Sequence, residues 1–234
     1  GADDPGTTPG ALLAAALARA SGRPVVLTSA AVVGAQSKDL AAQVERVLIV
    51  RPHVAVVMVG ANDITHLVPA PRSVQRLAAS VRDLRAAGVE VVVGTCPDLG
   101  TVRPLPRALR AIAGRASREL AAAQAIAVRG EGGRPVSLTD AIGTLFHDDP
   151  ATYFSADGFH PSTAGYTACA EALRQRSIAL YEEGAWTRLP IRMPPDVGDR
   201  SRPVSGLRVL DAQPHVVVST GREQQPNSAT RPTG

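Results

Sequence analysis

Apolar runs and amphipathic stretches alternate along the first 184 residues. Thr8-Pro9 pairs a helix-capping residue with a proline at the first helical position, and an Ala/Leu-rich stretch over 11–20 follows, closed by Gly22. Residues 25–28 are a short β-rich run, followed by a loop of small residues through Gly34. Ser37 is placed to cap a helix over 38–48, whose Leu40, Val44, Val47 and Leu48 fall on one face. Residues 53–59 are almost continuously apolar up to Gly60, the pattern of a strand buried on both faces of a parallel sheet. A third helix follows Pro71, with Val74, Leu77, Val81 and Leu84 inward and several arginines outward, and 89–93 repeats the buried-strand pattern. Beyond a proline-rich loop, a long helix over 105–127 is expected to turn Leu109, Ile112, Ala116 and Leu120 to one face. A short last strand at 136–138, a polar loop and a final helix over 162–182 complete the series.

This alternation predicts an α/β domain with a parallel sheet covered on both faces. Residues 185–234 read differently. They hold seven of the 19 prolines, with Arg, Ser and Gly and little periodicity, and are expected to form a mostly disordered tail in which 216–218 is the one strand-like segment.

Composition narrows the classes. The chain has 234 residues, 44% hydrophobic and 20% charged, a globular balance at a size that needs no disulfide or metal staple. Aromatic residues are only 3%, which argues against proteins that bind nucleic acid by stacking bases on exposed rings. Of the net charge of +4, the segment from Ala185 onward carries +3, so residues 1–184 show no electrostatic footprint for nucleic acid. No apolar run approaches the length of a membrane span. Cys96 and Cys169 have neither zinc-site nor CxxC spacing and read as free thiols, a disulfide between them being left open by the sequence.

In open parallel sheets, ligands gather at the carboxyl ends of the strands. Two polar segments are expected there. Gly60-Ala61-Asn62-Asp63 directly follows the most apolar strand, where the glycine allows a sharp turn and Asn62 can present an amide donor. Asp157-Gly158-Phe159-His160-Pro161 precedes the last helix, and an Asp three residues before a His can hold one imidazole nitrogen while the other meets a reacting hydroxyl. Taken singly, each segment has a plain reading as a turn that caps a helix.

Together, GAND after a central strand and DGFHP followed by Ser162-x-x-Gly165-Tyr166 resemble the SGNH (GDSL-type) hydrolase family. The resemblance covers residues 1–184 and implies a flavodoxin-like three-layer α/β/α sandwich that hydrolyses small-molecule esters through a serine acyl-enzyme, as a monomer and without metal or cofactor. It makes His160 the general base and Asp157 its orienter. The side chain of Asn62 and the backbone N–H of Gly34 would donate to the oxyanion.

The family's nucleophile lies in a Gly-Asp-Ser block at the end of the first strand, and no Gly-Asp-Ser occurs in this sequence. Gly1-Ala2-Asp3-Asp4-Pro5 resembles the loop after that block, so the strand and its serine are expected upstream of Gly1. In the family's strand order, 2-1-3-4-5, that strand is central. Its absence predicts unpaired inner edges on the 25–28 and 53–59 strands, poor folding, and no activity in the chain as it stands. Ser29 is a substitute without the Gly-Asp context, and its strand better matches the family's second. The competing reading is a non-catalytic α/β module that keeps the scaffold and binds a carbohydrate or a partner. A nucleotide-binding domain is disfavoured, because no strand-to-helix junction carries a glycine-rich phosphate loop.

Three other features are read as incidental or open. The arginines at 107, 110, 115 and 118 form a solvated helix face, His147-Asp148-Asp149 is a loop without a ligand, and His66 lies either in the cleft or on the surface.

Overall fold

The computed structural model describes residues 8–32, 34–182 and 215–219. Helix α1 (Pro9–Ser21) starts at Thr8, whose hydroxyl accepts the Ala11 N–H at 3.3 Å, and stops at Gly22 in the left-handed region. Strand β1 (Val26–Ser29), α2 (Leu40–Leu48), β2 (Val54–Met58), the short α3 (Ala61–Thr65), α4 (Ala70–Ala86) and β3 (Glu90–Gly94) follow. Then come α5 (Arg107–Gly130), β4 (Arg134–Val136), α6 (Leu138–Asp148), the single turn α7 (Pro150–Tyr153), α8 (Thr163–Glu182) and β5 (His215–Ser219).

The five strands form one parallel sheet in the order β1-β5-β2-β3-β4. Successive side chains of a strand face opposite ways. Val54 and Val56 of β2 and Val92 of β3 therefore pack with Leu13 and Leu17 of α1 and Leu173 of α8. Ala55 and Val57 of β2, with Val91 and Val93 of β3, pack against Val44 and Val47 of α2 and Leu77, Val81 and Leu84 of α4. These two cores are the faces of a three-layer α/β/α sandwich, as the alternation of elements requires.

The central position of the sheet is filled. The expected open edges do not occur: β5 lies between β1 and β2, with Val217 level with Thr28 on one side and Ala55 on the other. The physical reason is a need and a supply. Two inner strand edges must satisfy their N–H and C=O groups, and 216–218 is a β-branched run suited to the slot. Apart from β5, residues 183–234 lie outside the described residues, and with them the expected disorder of the tail.

Helix α5 buries Leu120 as expected, but its inward face is rotated away from Leu109 and Ile112. Leu109 is 54% and Ile112 66% exposed, whereas Ser117, Leu120, Ala121, Gln124 and Val128 are buried. The inward face keeps the helical spacing but carries polar residues with specific partners: the Ser117 hydroxyl accepts the Leu99 N–H at 3.1 Å, and Gln124 spans two strand ends. The outward arginines are solvated or paired, Arg115 with Glu119 and Arg118 with Asp98.

Candidate active site

The turn between α7 and α8 builds the Asp/His pair. Phe154 bridges to Pro161, and within that bridge the Ser155 N–H donates to the His160 carbonyl at 2.7 Å and the Gly158 N–H to the Ser155 carbonyl at 2.8 Å. Asp157 Oδ1 accepts the backbone N–H groups of Phe159 and His160, each at 2.9 Å, and lies 2.7 Å from the Ser155 hydroxyl. Its Oδ2 meets His160 Nδ1 at 2.6 Å. One carboxylate thus folds the turn and sets the imidazole.

Burial by itself would push the Asp157 carboxyl up. The hydrogen bonds from the His160 ring, the two backbone N–H groups and Ser155 outweigh it and hold the carboxyl well below the usual carboxylate range. A carboxyl lowered on folding adds stability above its unfolded pKa, and that contribution fades as pH falls towards the folded value. At neutral pH the pair is an anion beside a ring whose Nδ1 is engaged, so Nε2 is the nitrogen a reacting hydroxyl would meet. With side-chain exposures of 37% for His160 and 46% for Asp157, the pair is open to solvent.

The second segment is fixed from beneath. Gly60 closes β2 with φ +135, and α3 begins at once, with Asn62 in its first turn. One N–H of the Asn62 amide donates to the Ala35 carbonyl at 2.9 Å, and the amide carries a second. Asp63, fully buried, accepts the Ser37 N–H at 3.0 Å and the Ser37 hydroxyl at 3.2 Å on Oδ1, and the Ser73 hydroxyl at 2.6 Å on Oδ2. A buried carboxylate must be ringed by donors, and this one ties the loop after β1 to α3 and α4. Ser37 therefore does not cap α2. It sits within a 3₁₀ turn, Ser37–Asp39, capped by Gln36, whose N–H donates to the Asp39 carboxylate at 2.9 Å.

Gly34, Asn62 and His160 line one cavity of about 320 Å³ at the carboxyl ends of the strands. These are three of the four residues singled out from the sequence, and the fourth, Asp157, holds His160 from behind. Ser29 is exposed on β1, does not line the cavity, and accepts the Ala31 N–H at 3.4 Å. His66 is exposed outside the cavity, with Nδ1 2.8 Å from the Asn62 carbonyl oxygen. His147 Nδ1 lies 2.8 Å from Asp148, and among the described residues no group of three His, Cys, Asp or Glu is arranged to hold a metal.

Among the described residues, the cavity wall contains no serine. Cys169 lines it, but burial pushes that thiol up to about 12, which leaves almost no thiolate at neutral pH. Ser219 ends β5 level with Val57, three residues before Gly60. At about 3.3 Å per residue, that places it roughly 10 Å below the turn that carries Asn62.

The sequence reading missed the groups beneath the site. Gln124, fully buried, accepts the Cys96 N–H at 2.8 Å and donates to the Val59 carbonyl at 3.1 Å, locking the ends of β2 and β3 together. Gly165, within the Ser162-x-x-Gly165-Tyr166 stretch, lets α8 start against the base-bearing turn, since a Cβ there would collide with the Tyr153 carbonyl oxygen.

The sequence profile of the GDSL-like Lipase/Acylhydrolase family matches residues 1–168. The chain is 41% identical over 232 residues to the GDSL-like esterase Rv1075c of Mycobacterium tuberculosis, across 97% of this chain and 70% of that protein. Two solved structures share the fold. A catalytic mutant of Axe2, an acetylxylan esterase from Geobacillus stearothermophilus, is 19% identical with a TM-score of 0.50 over 62% of this chain and 68% of its own. A GDSL-like lipase from Bacteroides thetaiotaomicron is 18% identical with a TM-score of 0.52 over 63% and 73%. The matched profile spans Asn62, Asp157 and His160, and with the identity to the mycobacterial esterase it establishes that this chain belongs to the GDSL-like lipase/acylhydrolase family.

Proposed function

We propose that residues 1–184 are the base-bearing part of a serine ester hydrolase whose nucleophile is supplied by a Gly-Asp-Ser segment upstream of Gly1. The observation that carries this reading is the 2.6 Å contact between Asp157 Oδ2 and His160 Nδ1 at a cavity also lined by Asn62 and Gly34. In this scheme the serine oxygen attacks the acyl carbon and its proton passes to His160 Nε2. The oxyanion accepts from the second N–H of Asn62 and the N–H of Gly34. Collapse of the tetrahedral adduct expels the alcohol, which takes the proton back from His160. Water then attacks the acyl-enzyme with His160 again as base, and the acid is released.

In the family's order, the nucleophile strand occupies the slot that β5 fills here. The reading therefore requires that strand to replace β5 between β1 and β2, and it makes the present chain silent. The test is ester turnover by a longer chain that carries the serine segment, set beside residues 1–234. The longer chain is expected to be active and the 234-residue chain to stay at background. In the longer chain, His160→Ala should lower kcat by about three orders of magnitude. Near-normal turnover by that variant sinks the assignment. The absence of serine from the described cavity wall favours one other reading, a non-catalytic module on the same scaffold. That reading is correct if the longer chain binds but hydrolyses no ester.

A further inference from the structure

Between Asp98 and Glu119 the chain carries five arginines and no acid. The two bounding carboxylates hold the last two of them, Asp98 with Arg118 and Glu119 with Arg115. Among the described residues no carboxylate pairs with Arg103, Arg107 or Arg110, and Arg103 donates instead to the His147 carbonyl at 3.0 Å. On the same stretch α5 leaves Leu109 and Ile112 largely in water, with Ala108 and Ala111 exposed beside them. Three residues apart on a helix, Leu109 and Ile112 share one outward stripe, bordered by Arg107 and Arg115. The segment abuts the base-bearing turn: a Cβ on Gly158 would lie 2.9 Å from Pro104 Cγ, and Arg103 lines a pocket with Phe154, Ser155 and Gly158.

We propose that this face docks the protein on a bilayer surface bearing anionic phospholipid, with Arg103, Arg107 and Arg110 at the phosphates and Leu109 and Ile112 between the headgroups. Two exposed aliphatic side chains alone are ordinary on a protein surface. Set among unpaired arginines, they match an interface that is anionic outside and apolar beneath. A nucleic acid would satisfy the arginines but leave Leu109 and Ile112 in water, and the segment carries no aromatic ring on which a base could stack. A second copy meeting the same patch about a twofold axis would set arginine against arginine. Docking by this face would hold Asp157 and His160 close to the lipid surface. It needs no nucleophile, and so stands or falls apart from the hydrolase reading.

Co-sedimentation of the 234-residue chain with vesicles of phosphatidylcholine, alone or in equal mixture with phosphatidylglycerol, measures the docking. The chain should partition onto the anionic vesicles at least about tenfold more strongly, and added salt should weaken the attraction. Residues 185–234 add a net charge of +3 of their own, so the decisive comparison is between the two ends of α5. Arg107→Gln/Ile112→Ser and Arg129→Gln/Ile126→Ser remove the same charge and the same side chains, all from exposed positions. The first pair is expected to cut partitioning by about tenfold or more, and the second to leave it unchanged, with both proteins melting like the parent. Should the first pair melt early, Arg107→Gln alone carries the test, with an expected loss of about fivefold.

Equal partitioning onto the two kinds of vesicle overturns the proposal. So does an equal loss in both double variants, which would assign the attraction to net charge and not to this face. Duplex DNA bound as tightly as the anionic vesicles, with a response to Arg107→Gln but none to Ile112→Ser, would give the face to nucleic acid. A dimer in sedimentation that Ile112→Ser dissociates would give it to a second copy.

Discussion

Gly60 fixes where Asn62 stands. Its φ of +135 is closed to side chains, and a Cβ there would lie 2.8 Å from the Cys96 Cβ and 3.2 Å from the Gln124 amide nitrogen. Gly60→Ala therefore combines backbone strain, about 1–3 kcal/mol, with overpacking of about 1–3 kcal/mol. Gly132→Ala isolates the first of these, since its φ is +75 but its nearest neighbour lies 3.6 Å away. Urea denaturation should show Gly60→Ala as the more damaging of the two; equal losses would mean that the packing beneath the turn is not what holds it. At this scale the site was half legible. GAND and DGFHP announce their chemistry because a donor, a base and an orienter need particular residue types at short spacing. Ser37, Ser73 and Gln124 were not legible. Their partners, Asp63 and the ends of β2 and β3, are 10 to 65 residues away; Ser37 reads as a helix cap, and a serine or glutamine within a helix, such as Ser73 or Gln124, reads as solvent-facing until the fold surrounds it.

Among the elements, β5 carries the largest consequence. It pairs on both sides, so its backbone does the work of a central strand although it lies near the end of the chain. Proline is excluded from such positions because it removes a ladder N–H and its ring obstructs the neighbouring strand. Val217→Pro should destabilise the 234-residue chain by about 3 kcal/mol or more, read from the urea midpoint. In a longer chain whose nucleophile strand holds the slot, the same substitution should leave stability and turnover unchanged. An unaffected midpoint in the 234-residue chain would show that β5 is dispensable to the sheet. The strand-forming capacity of 216–218 was visible in the sequence, but its place was not, because parallel pairing leaves no local turn signal to name the partner. The α5 error has a related origin: Leu109 and Ile112 fit the helical period as well as the true inward face does, and only the partners of Ser117 and Gln124 break the tie.

For the molecule as a whole, the two cysteines report how the sandwich opens. Cys96 lies fully buried beyond β3, beneath the Gly60 turn, with its N–H held by Gln124. Cys169 is 6% exposed on α8 at the wall of the cavity. Both are free thiols, and burial pushes each up to about 12. Only a thiolate attacks a disulfide reagent, and burial disfavours the thiolate at both sites. Modification must then wait for opening, and the two sites open by different amounts. Exposing Cys169 needs only the cavity wall to part, a local event, whereas Cys96 is released when the ends of β2 and β3 separate, which takes the sheet apart. With Ellman's reagent the native protein should show no prompt thiol, and in guanidinium it should show two. In native buffer Cys169 should react before Cys96. A denatured chain with no titratable thiol would place a disulfide where two free cysteines stand, and faster reaction at Cys96 would mean that the floor of the site opens before its wall.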